Sequence, residues 1–147
     1  MAKDPLLTVL KLASDAEEQA GLQLKAAQLD LQKRQGQLTA LNNYRLDYMK
    51  QMDSQLGQKI SASNYHQFHQ FIRQIDEAIV QQHKQVNEAT TQTQYRQQHW
   101  LEKQQKRKAV ELLLANKADK ALMLEAKREQ KMSDEFASQQ FYRNRRS

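Results

Sequence analysis

The chain contains no cysteine, one proline and three glycines among its 147 residues. The absence of cysteine excludes disulfides and thiolate catalysis, and it is typical of proteins from reducing compartments. A sandwich, a barrel or a doubly wound sheet needs a turn about every 8 to 15 residues. This sequence has too few turn residues for such folds, and their scarcity predicts long helices.

Long hydrophobic runs are also missing, since no apolar stretch approaches the roughly 20 residues that cross a bilayer. Near the amino terminus, Pro5 stands where the apolar core of a signal peptide would begin, and acidic residues follow soon after it. We therefore expect a mature, cytoplasmic amino terminus and no direct insertion into a membrane.

The composition indicates long helices, and the net charge indicates a negatively charged partner. Glutamine occurs 24 times, and together with Ala, Leu, Lys, Arg and Glu it gives the composition of long helices or coiled coils. The net charge is +6, and residues 101–147 hold 12 basic and 7 acidic side chains, so most of the excess lies in the last third. Such an excess favours a negatively charged partner.

A heptad pattern of alternating three- and four-residue steps runs through the first third of the chain. Ten of its 14 positions are apolar, which is typical of a coiled-coil strand. Asp4 followed by Pro5 predicts the helix start, because Asp caps free amides and Pro suits the first turn. This first seam consists of Leu10, Ala13, Glu17, Ala20, Leu24, Ala27, Leu31, Arg34, Leu38, Leu41, Arg45, Tyr48, Met52 and Gln55.

A second heptad pattern follows the small polar cluster at 61–64, where a new helix can be capped. Eleven of its 17 positions are apolar. This second seam consists of Phe68, Ile72, Ile75, Ile79, Gln82, Val86, Ala89, Thr93, Arg96, Trp100, Lys103, Arg107, Val110, Leu114, Lys117, Ala121 and Leu124. The charged residues in both seams are expected to weaken the pairing and to extend their charged ends outward.

The two seams predict an all-α fold, an antiparallel two-helix coiled-coil hairpin with a longer second helix. We expect one coiled-coil domain over 1–147, with helix 1 at about 5–56, a turn at about 57–63, helix 2 at about 64–138 and a flexible basic tail at 139–147. With the turn centred near residue 60, the numbers of facing residues should sum to about 120. This rule pairs Leu10 with Val110 and Ala20 with Trp100.

The same rule leaves the second helix without a partner beyond about residue 116, and we call this part the overhang. At 1.5 Å per residue, about 20 unpaired residues extend for roughly 30 Å. A single helix with an apolar stripe and basic residues is expected to dock onto another protein.

No arrangement of residues supports catalysis or metal binding. His66 and His69 are three residues apart, but a metal site needs three or four ligands and no third one is well placed. His83 and His99 are expected on the solvent side. No phosphate loop, activated nucleophile or pair of carboxylates is found, so we expect neither an enzyme nor a cofactor.

The basic cluster at 103–108 raises the alternative of a coiled coil that binds nucleic acid. Glu102 and Glu111 flank this cluster and no aromatic platform accompanies it, so a solvated face is the favoured reading and no nucleic-acid partner is expected. A basic-region zipper would carry its basic segment before the heptads, which is the opposite order. A structural, oligomeric coiled coil is the other alternative, although two seams separated by one turn favour a monomer in the free state.

A second apolar stripe follows the edge of the second seam. Phe71 and Ala78 lie beside the seam, and together with the seam positions Ile75 and Gln82 they continue at i, i+4, i+7 and i+11. Two readings of this stripe remain open. It either widens the packing between the helices near the turn, or forms an exposed patch for a partner.

In five stretches of the chain, the sequence resembles the flagellar FliJ family. The stretches are Tyr44 with Tyr48, then Ser63-Asn64-Tyr65, then Gln70-Phe71-Ile72 with Ala78-Ile79 and Gln81, then Trp100-Leu101-Glu102-Lys103 with Gln105, and finally Lys131-Met132 with Asp134-Glu135-Phe136-Ala137. Each motif alone is weak, but their order and spacing agree over most of the chain.

The resemblance implies a cytoplasmic component of the flagellar type III export apparatus, peripheral to the inner face of the cell membrane at the flagellar base. The family fold is an antiparallel two-helix coiled coil similar to the central stalk of rotary ATPases. Implied partners are the hexameric export ATPase, the cytoplasmic linker of the membrane export gate and export chaperones. The stalk would promote assembly and turnover of the ATPase ring and couple it to the gate.

Two groups of residues are assigned on this basis. The resemblance implies that the gate contacts the second stripe, namely Phe71, Ile75, Ala78 and Gln82, although Gln82 stands where relatives carry His. The ring is expected to contact the end near the termini, through Lys103, Arg107, Ala118, Ala121, Leu122, Leu124 and Arg128.

Overall fold

A computed structural model describes residues 4–55 and 61–146, and nearly all of them are helical. Helix α1 comprises Pro5–Gln55 and helix α2 comprises Ala62–Arg146, with 51 and 85 residues. No strand occurs in these two ranges. The predicted all-α fold with a longer second helix is therefore confirmed.

Both helices begin at a capping residue. A carboxylate oxygen of Asp4 accepts a hydrogen bond from the Leu6 amide at 3.0 Å, and its carbonyl accepts one from Leu7 at 3.0 Å. At the start of α2, the Ser61 hydroxyl accepts a bond from the Asn64 amide at 3.2 Å. These bonds satisfy amides that have no partner within the first turn of a helix.

The bounds of α2 differ from those predicted. The helix begins at Ala62 rather than about 64, because Ser61 is the cap and the small residues after it are tolerated in a first turn. The predicted helix end at about 138 is wrong, since α2 continues to Arg146. No proline or glycine interrupts 139–146, and the basic Arg143 and Arg145 near the end interact favourably with the helix dipole. Most of the predicted turn, at 57–60, lies outside the described residues.

Two compact units are formed, each by both helices. One unit consists of Met1–Glu17 and Lys103–Ser147, and the other of Glu18–Glu102. Because α1 and α2 contribute to both, this division leaves the single coiled-coil domain as a prediction.

Within Glu18–Glu102, the two helices run antiparallel in the predicted register. The Arg45 Nε atom lies 2.6 Å from Asp76 Oδ1, and Arg34 Nη1 donates to Gln85 Oε1 at 2.9 Å. Arg96 Nη1 donates to Gln23 Oε1 at 3.0 Å. The numbers of these partners sum to between 119 and 121, close to the predicted 120.

The helices are also antiparallel within the unit of Met1–Glu17 and Lys103–Ser147. Arg107 pairs with Glu17, and Lys117 Nζ lies 2.8 Å from Asp4 Oδ2. The numbers of these partners sum to 124 and 121.

The two predicted seams form the interior. Of the 14 positions of the first seam only Gln55 is exposed, and every position of the second seam is buried or half-buried through Leu114. Beyond Leu114, the seam positions Lys117, Ala121 and Leu124 are exposed. The buried residues among those described are Ala13, Ala20, Met52, Phe68, Ile75, Gln82, Ala89 and Val110.

Trp100 packs against a glycine of α1. A Cβ atom placed on Gly21 would lie 3.4 Å from the Cδ1 and Nε1 atoms of the indole ring. The neighbouring Ala20, which the register rule places opposite Trp100, is 2% exposed. Gly21 therefore serves to admit a large side chain within a continuous helix, rather than to form a turn.

Candidate partner-binding surfaces

Arg107, one of the predicted ring contacts, is held within the helix pair. Its guanidinium pairs with Glu17 of α1 and with Glu111 one turn further along α2, the latter at 2.9 Å. These two carboxylates raise the pKa of Arg107, so it remains charged. Because both carboxylates come from its own chain, Arg107 stabilises the helix pair and is not free to bind a partner.

The other seam arginines also have partners from the chain itself. Arg34 Nε pairs with Asp30 at 2.9 Å while its Nη1 atom bonds Gln85. Hydrogen bonding to Asp76 raises the pKa of Arg45. The charges of Arg34 and Arg45 at nominal core positions are thus balanced by carboxylates of the chain itself.

Asp4 and Lys117 form the last ion pair between the helices toward the end of α2 among the described residues. Their side chains meet at 2.8 Å, with Asp4 24% and Lys117 61% exposed. The hydrogen bond from Lys117, aided by the Leu6 amide, lowers the pKa of Asp4. Asp4 therefore caps α1 and also forms the last described ion pair between the helices, beyond which α2 continues without α1.

Beyond Lys117, the overhang of α2 is a solvent-exposed helix. Every side chain from 118 to 145 is exposed. Large apolar groups are among them: Leu122, Met123 and Leu124 are 64%, 62% and 63% exposed. Five of the predicted ring contacts lie together on this segment, namely Ala118, Ala121, Leu122, Leu124 and Arg128.

Lys103 is separated from those five along α2. It is half-buried on the paired part of the helix, as is Arg107. The structure therefore divides the seven predicted ring residues into an exposed group of five and a pair that lies at the interface between α1 and α2.

The four predicted gate contacts do not form one exposed surface. Ile75 and Gln82 are only 5% and 9% exposed, because both face α1. Phe71 is half-buried and Ala78 is exposed. Of the two readings of this stripe, the packing role thus applies to Ile75 and Gln82, while Phe71 and Ala78 retain accessible surface.

Phe71 belongs to an aromatic cluster that joins the two helices. Its ring centroid lies 4.6 Å from that of Tyr48 and 6.0 Å from that of Tyr44, and Tyr48 stacks on Phe68 at 5.2 Å. Tyr48 is a position of the predicted first seam, whereas Tyr44 enters only through the family resemblance. The register rule places Tyr48 opposite Phe71, since 71 and 48 sum to nearly 120, whereas Tyr44 contacts Phe71 from one turn earlier in α1.

Gln82 forms the polar centre of the packed region. Its Nε2 atom donates to the Arg34 carbonyl at 2.9 Å and to Gln37 Oε1 at 3.1 Å. A buried amide is tolerated only when such bonds are made. Gln82 is thus engaged with α1 and presents little surface to a partner.

The four histidines contribute no metal site within the described ranges 4–55 and 61–146, where no group of three metal-binding side chains is found. His69 instead packs edge-on against Tyr65 at 4.4 Å and Phe68 at 5.4 Å, measured between ring centroids. In the same ranges neither helix has a stretch long and apolar enough to cross a membrane.

Comparison with known families gives a match over almost the entire chain. The family model described as "FliJ: Flagellar FliJ protein" matches residues 2–146. The match includes both helices and the overhang.

Individual relatives agree with the family model. The chain is 30% identical over 138 residues to the flagellar FliJ protein of Escherichia coli (strain K12), covering 93% of this chain and 94% of the relative. It is 29% identical over the same length to the flagellar FliJ protein of Salmonella typhi, with the same coverage. Among solved structures, a putative YscO homolog from Chlamydia trachomatis is similar with a TM-score of 0.49 and 17% identity, covering 100% of this chain and 99% of that chain.

Proposed function

The chain belongs to the flagellar FliJ family, and from this membership we propose that it acts in the flagellar type III export apparatus as a stalk-like subunit of the export ATPase. In this role the chain promotes assembly and turnover of the hexameric ATPase ring and couples the ring to the cytoplasmic linker of the membrane export gate. It also escorts export chaperones. Its site of action is the cytoplasmic face of the membrane at the flagellar base.

The observation that carries the proposal is the exposed overhang. Burial of apolar surface contributes roughly 25 cal/mol per Å², and Leu122, Met123 and Leu124 gain almost none of this within the chain. Exposed apolar groups along an unpaired helix are typical of a binding site for another protein. The pore of a ring can surround a single helix and cover residues on several of its sides.

The mechanism needs no catalytic group on this chain. An asymmetric helix inside a ring of identical subunits presents a different surface to each subunit, so their catalytic sites adopt different states. Contacts by Ala118, Ala121, Leu122, Leu124 and Arg128 would favour the ring conformations that fit them best. Lys103 and Arg107 support this role indirectly, through the base from which the overhang extends.

We assign gate binding to the accessible part of the second stripe. Ala78 and the open edge of Phe71 would contact the gate linker, and the exposed Tyr44 lies beside Phe71. Ile75 and Gln82 would hold α2 against α1 so that this edge is presented correctly.

Truncation after Lys117 tests the proposal for the ring. The shortened chain keeps every ion pair described between the helices, including that of Asp4 with Lys117, so its helix pair should fold. We expect it to lose stimulation of the export ATPase, measured as ring assembly and ATP turnover with the full-length chain alongside. Full stimulation by the shortened chain would show that the ring contacts another region.

A double substitution provides a matched test in the intact chain. Leu122→Gln with Leu124→Gln should reduce stimulation, because it removes apolar groups from the overhang without shortening it. The control is Leu46→Gln, since Leu46 on α1 is likewise exposed, at 53%. An equal loss from the control would indicate a general effect of surface polarity and would contradict the assignment.

A further inference from the structure

A shallow apolar groove runs beside the seam in the unit of Met1–Glu17 and Lys103–Ser147. Val9, Leu12, Ala13 and Ala16 line it from α1, and Lys103 and Lys106 line it from α2. Its volume of about 150 Å³ is below the roughly 300 Å³ typical of small-molecule sites. The groove therefore fits protruding side chains rather than a cofactor.

The apolar wall of the groove is accessible to a partner. Leu12 is 64% and Val9 39% exposed, although both lie on the flank of α1 that borders the seam. Val9, Leu12 and Ala16 are spaced at i, i+3 and i+7, so they form one continuous row on that flank. The other flank of the seam carries Leu7, Lys11 and Ser14, so the apolar residue there is followed by two polar ones and no continuous apolar row forms.

The opposite wall of the groove is positively charged. Lys103 and Lys106 are three residues apart on α2 and therefore lie on one face. No ion pair of the described residues involves either lysine, whereas the nearby carboxylates of Glu17 and Glu111 are engaged by Arg107. Two ammonium groups beside an apolar row favour a partner that brings both apolar side chains and carboxylates.

We propose that this groove binds an acidic amphipathic helix of another protein, which packs as a third helix beside α1 and α2. Its apolar stripe would cover Val9, Leu12 and Ala16, and its carboxylates would pair with Lys103 and Lys106. Amphipathic helices commonly bind hydrophobic grooves through anchors spaced by three or four residues. The proposal is independent of ring binding by the overhang.

Other occupants fit the groove less well. The chain's own end after residue 139 carries Arg143 and Arg145, which would be repelled by the two lysines. A second copy docked by two-fold symmetry would present this same face, which offers the two lysines no free carboxylate because Glu17 and Glu111 are engaged by Arg107. A membrane requires a longer apolar face than one row of about two helical turns, and nucleic acid gains nothing from an apolar wall.

Photo-cross-linking in flagellated cells tests the proposal. The probe is p-benzoylphenylalanine at position 12, with the same group at position 11, which is likewise exposed but lies on the opposite flank, as the control. We expect position 12 to capture a protein segment that is acidic and has apolar residues at helical spacing, as mapped by mass spectrometry. Capture of a basic segment, a second copy of the chain, lipid or nucleic acid, or no more capture than at position 11, would overturn the proposal.

Charge reversal then tests the lysine wall. Lys106→Glu should lower the yield of the position 12 product about tenfold, because it places like charges across the interface. The control is Lys108→Glu, since Lys108 is exposed on the other flank of the same helix. Equal yields from both variants would exclude the charge pairing. ATPase stimulation by Lys106→Glu should remain, which separates this result from a failure of the ring proposal.

Discussion

Glu17 of α1 and Arg107 of α2 form an ion pair at seam positions, where their side chains are only 16% and 24% exposed. Each occupies a place that a leucine or alanine fills elsewhere in the seams. The pair excludes water less effectively than an apolar layer would, but it can form only in one register. We interpret this ion pair as a contact that fixes the register of the two helices close to where the overhang begins.

Removal of one partner of this pair should destabilise the protein more than removal of both. Glu17→Gln leaves the Arg107 guanidinium with Glu111 as its only carboxylate, in a half-buried place. Glu17→Leu combined with Arg107→Leu replaces the pair with an apolar layer, which is often neutral or stabilising. Melting temperatures of the two variants, compared with the wild type, measure this difference. A lower melting temperature for the double variant would contradict this account of the pair.

The two helical glycines should respond differently to alanine. No atom outside the immediate backbone lies within 4 Å of a Cβ on Gly36, so Gly36→Ala should stabilise the protein. We expect the free energy of unfolding to rise by about 1 kcal/mol, which is the difference in helix propensity between Gly and Ala. Gly21→Ala should gain less, because its methyl group meets Trp100 at 3.4 Å. Urea unfolding of both variants gives the comparison, and an equal gain at both sites would show that Trp100 moves freely.

Phe71 should affect both stability and gate binding, whereas Ala78 should affect binding alone. Phe71→Ala removes two aromatic contacts at a half-buried site, and we expect a loss of about 1 to 2 kcal/mol. Ala78→Asp changes an exposed residue and should leave unfolding within about 0.5 kcal/mol of wild type. Both should weaken binding to the purified gate linker, measured by titration calorimetry. Unchanged binding of the gate linker by the Ala78→Asp variant would show that the gate does not contact this surface.

The Asp4 carboxylate should make stability depend on pH in the acid range. Its pKa in the folded chain is lowered from 3.8 by Lys117 and the Leu6 amide, so the folded state binds this proton less readily than the unfolded state. The stabilisation is therefore present above pH 3.8 and is lost as the pH falls through the lowered pKa. Asp4→Asn should melt below wild type at neutral pH, and the two should converge in acid. A difference in melting temperature between the two proteins that is the same at all pH values would indicate that the charge of Asp4 does not contribute to stability.

Much of the fold could be predicted because the seams carry a strong periodic signal. A sum of 120 for facing residues followed from one turn and predicted the partners of Arg45 and Arg96 within one residue. The end of α2 was not predictable from periodicity. The last residues have no heptad pattern, yet helix formation there needs only backbone hydrogen bonds and the absence of proline and glycine.

The candidate sites were harder to predict than the fold. The heptad pattern places Ile75 and Gln82 in the second seam, but it does not tell whether the neighbouring Phe71 and Ala78 face solvent or widen the packing against α1. The charge of Arg107 indicated a surface contact, but its two carboxylate partners become evident only when Glu17 is brought opposite to it. The overhang was predictable, because it depends only on the unequal lengths of the two helices.

The constant sum of facing residues within Glu18–Glu102 limits which insertions and deletions this protein tolerates. Loss of one residue between Gln37 and Arg45 would rotate the preceding part of α1 by about 100° relative to α2, turning Gln37 and Arg34 away from Gln82. Loss of seven residues would restore the facing side but shift each layer by one heptad. A change in length that keeps the pairing therefore requires the same number of heptads to be removed from both helices. Related chains should accordingly differ in the lengths of α1 and of the paired part of α2 together. The length of the overhang is not restricted by this pairing.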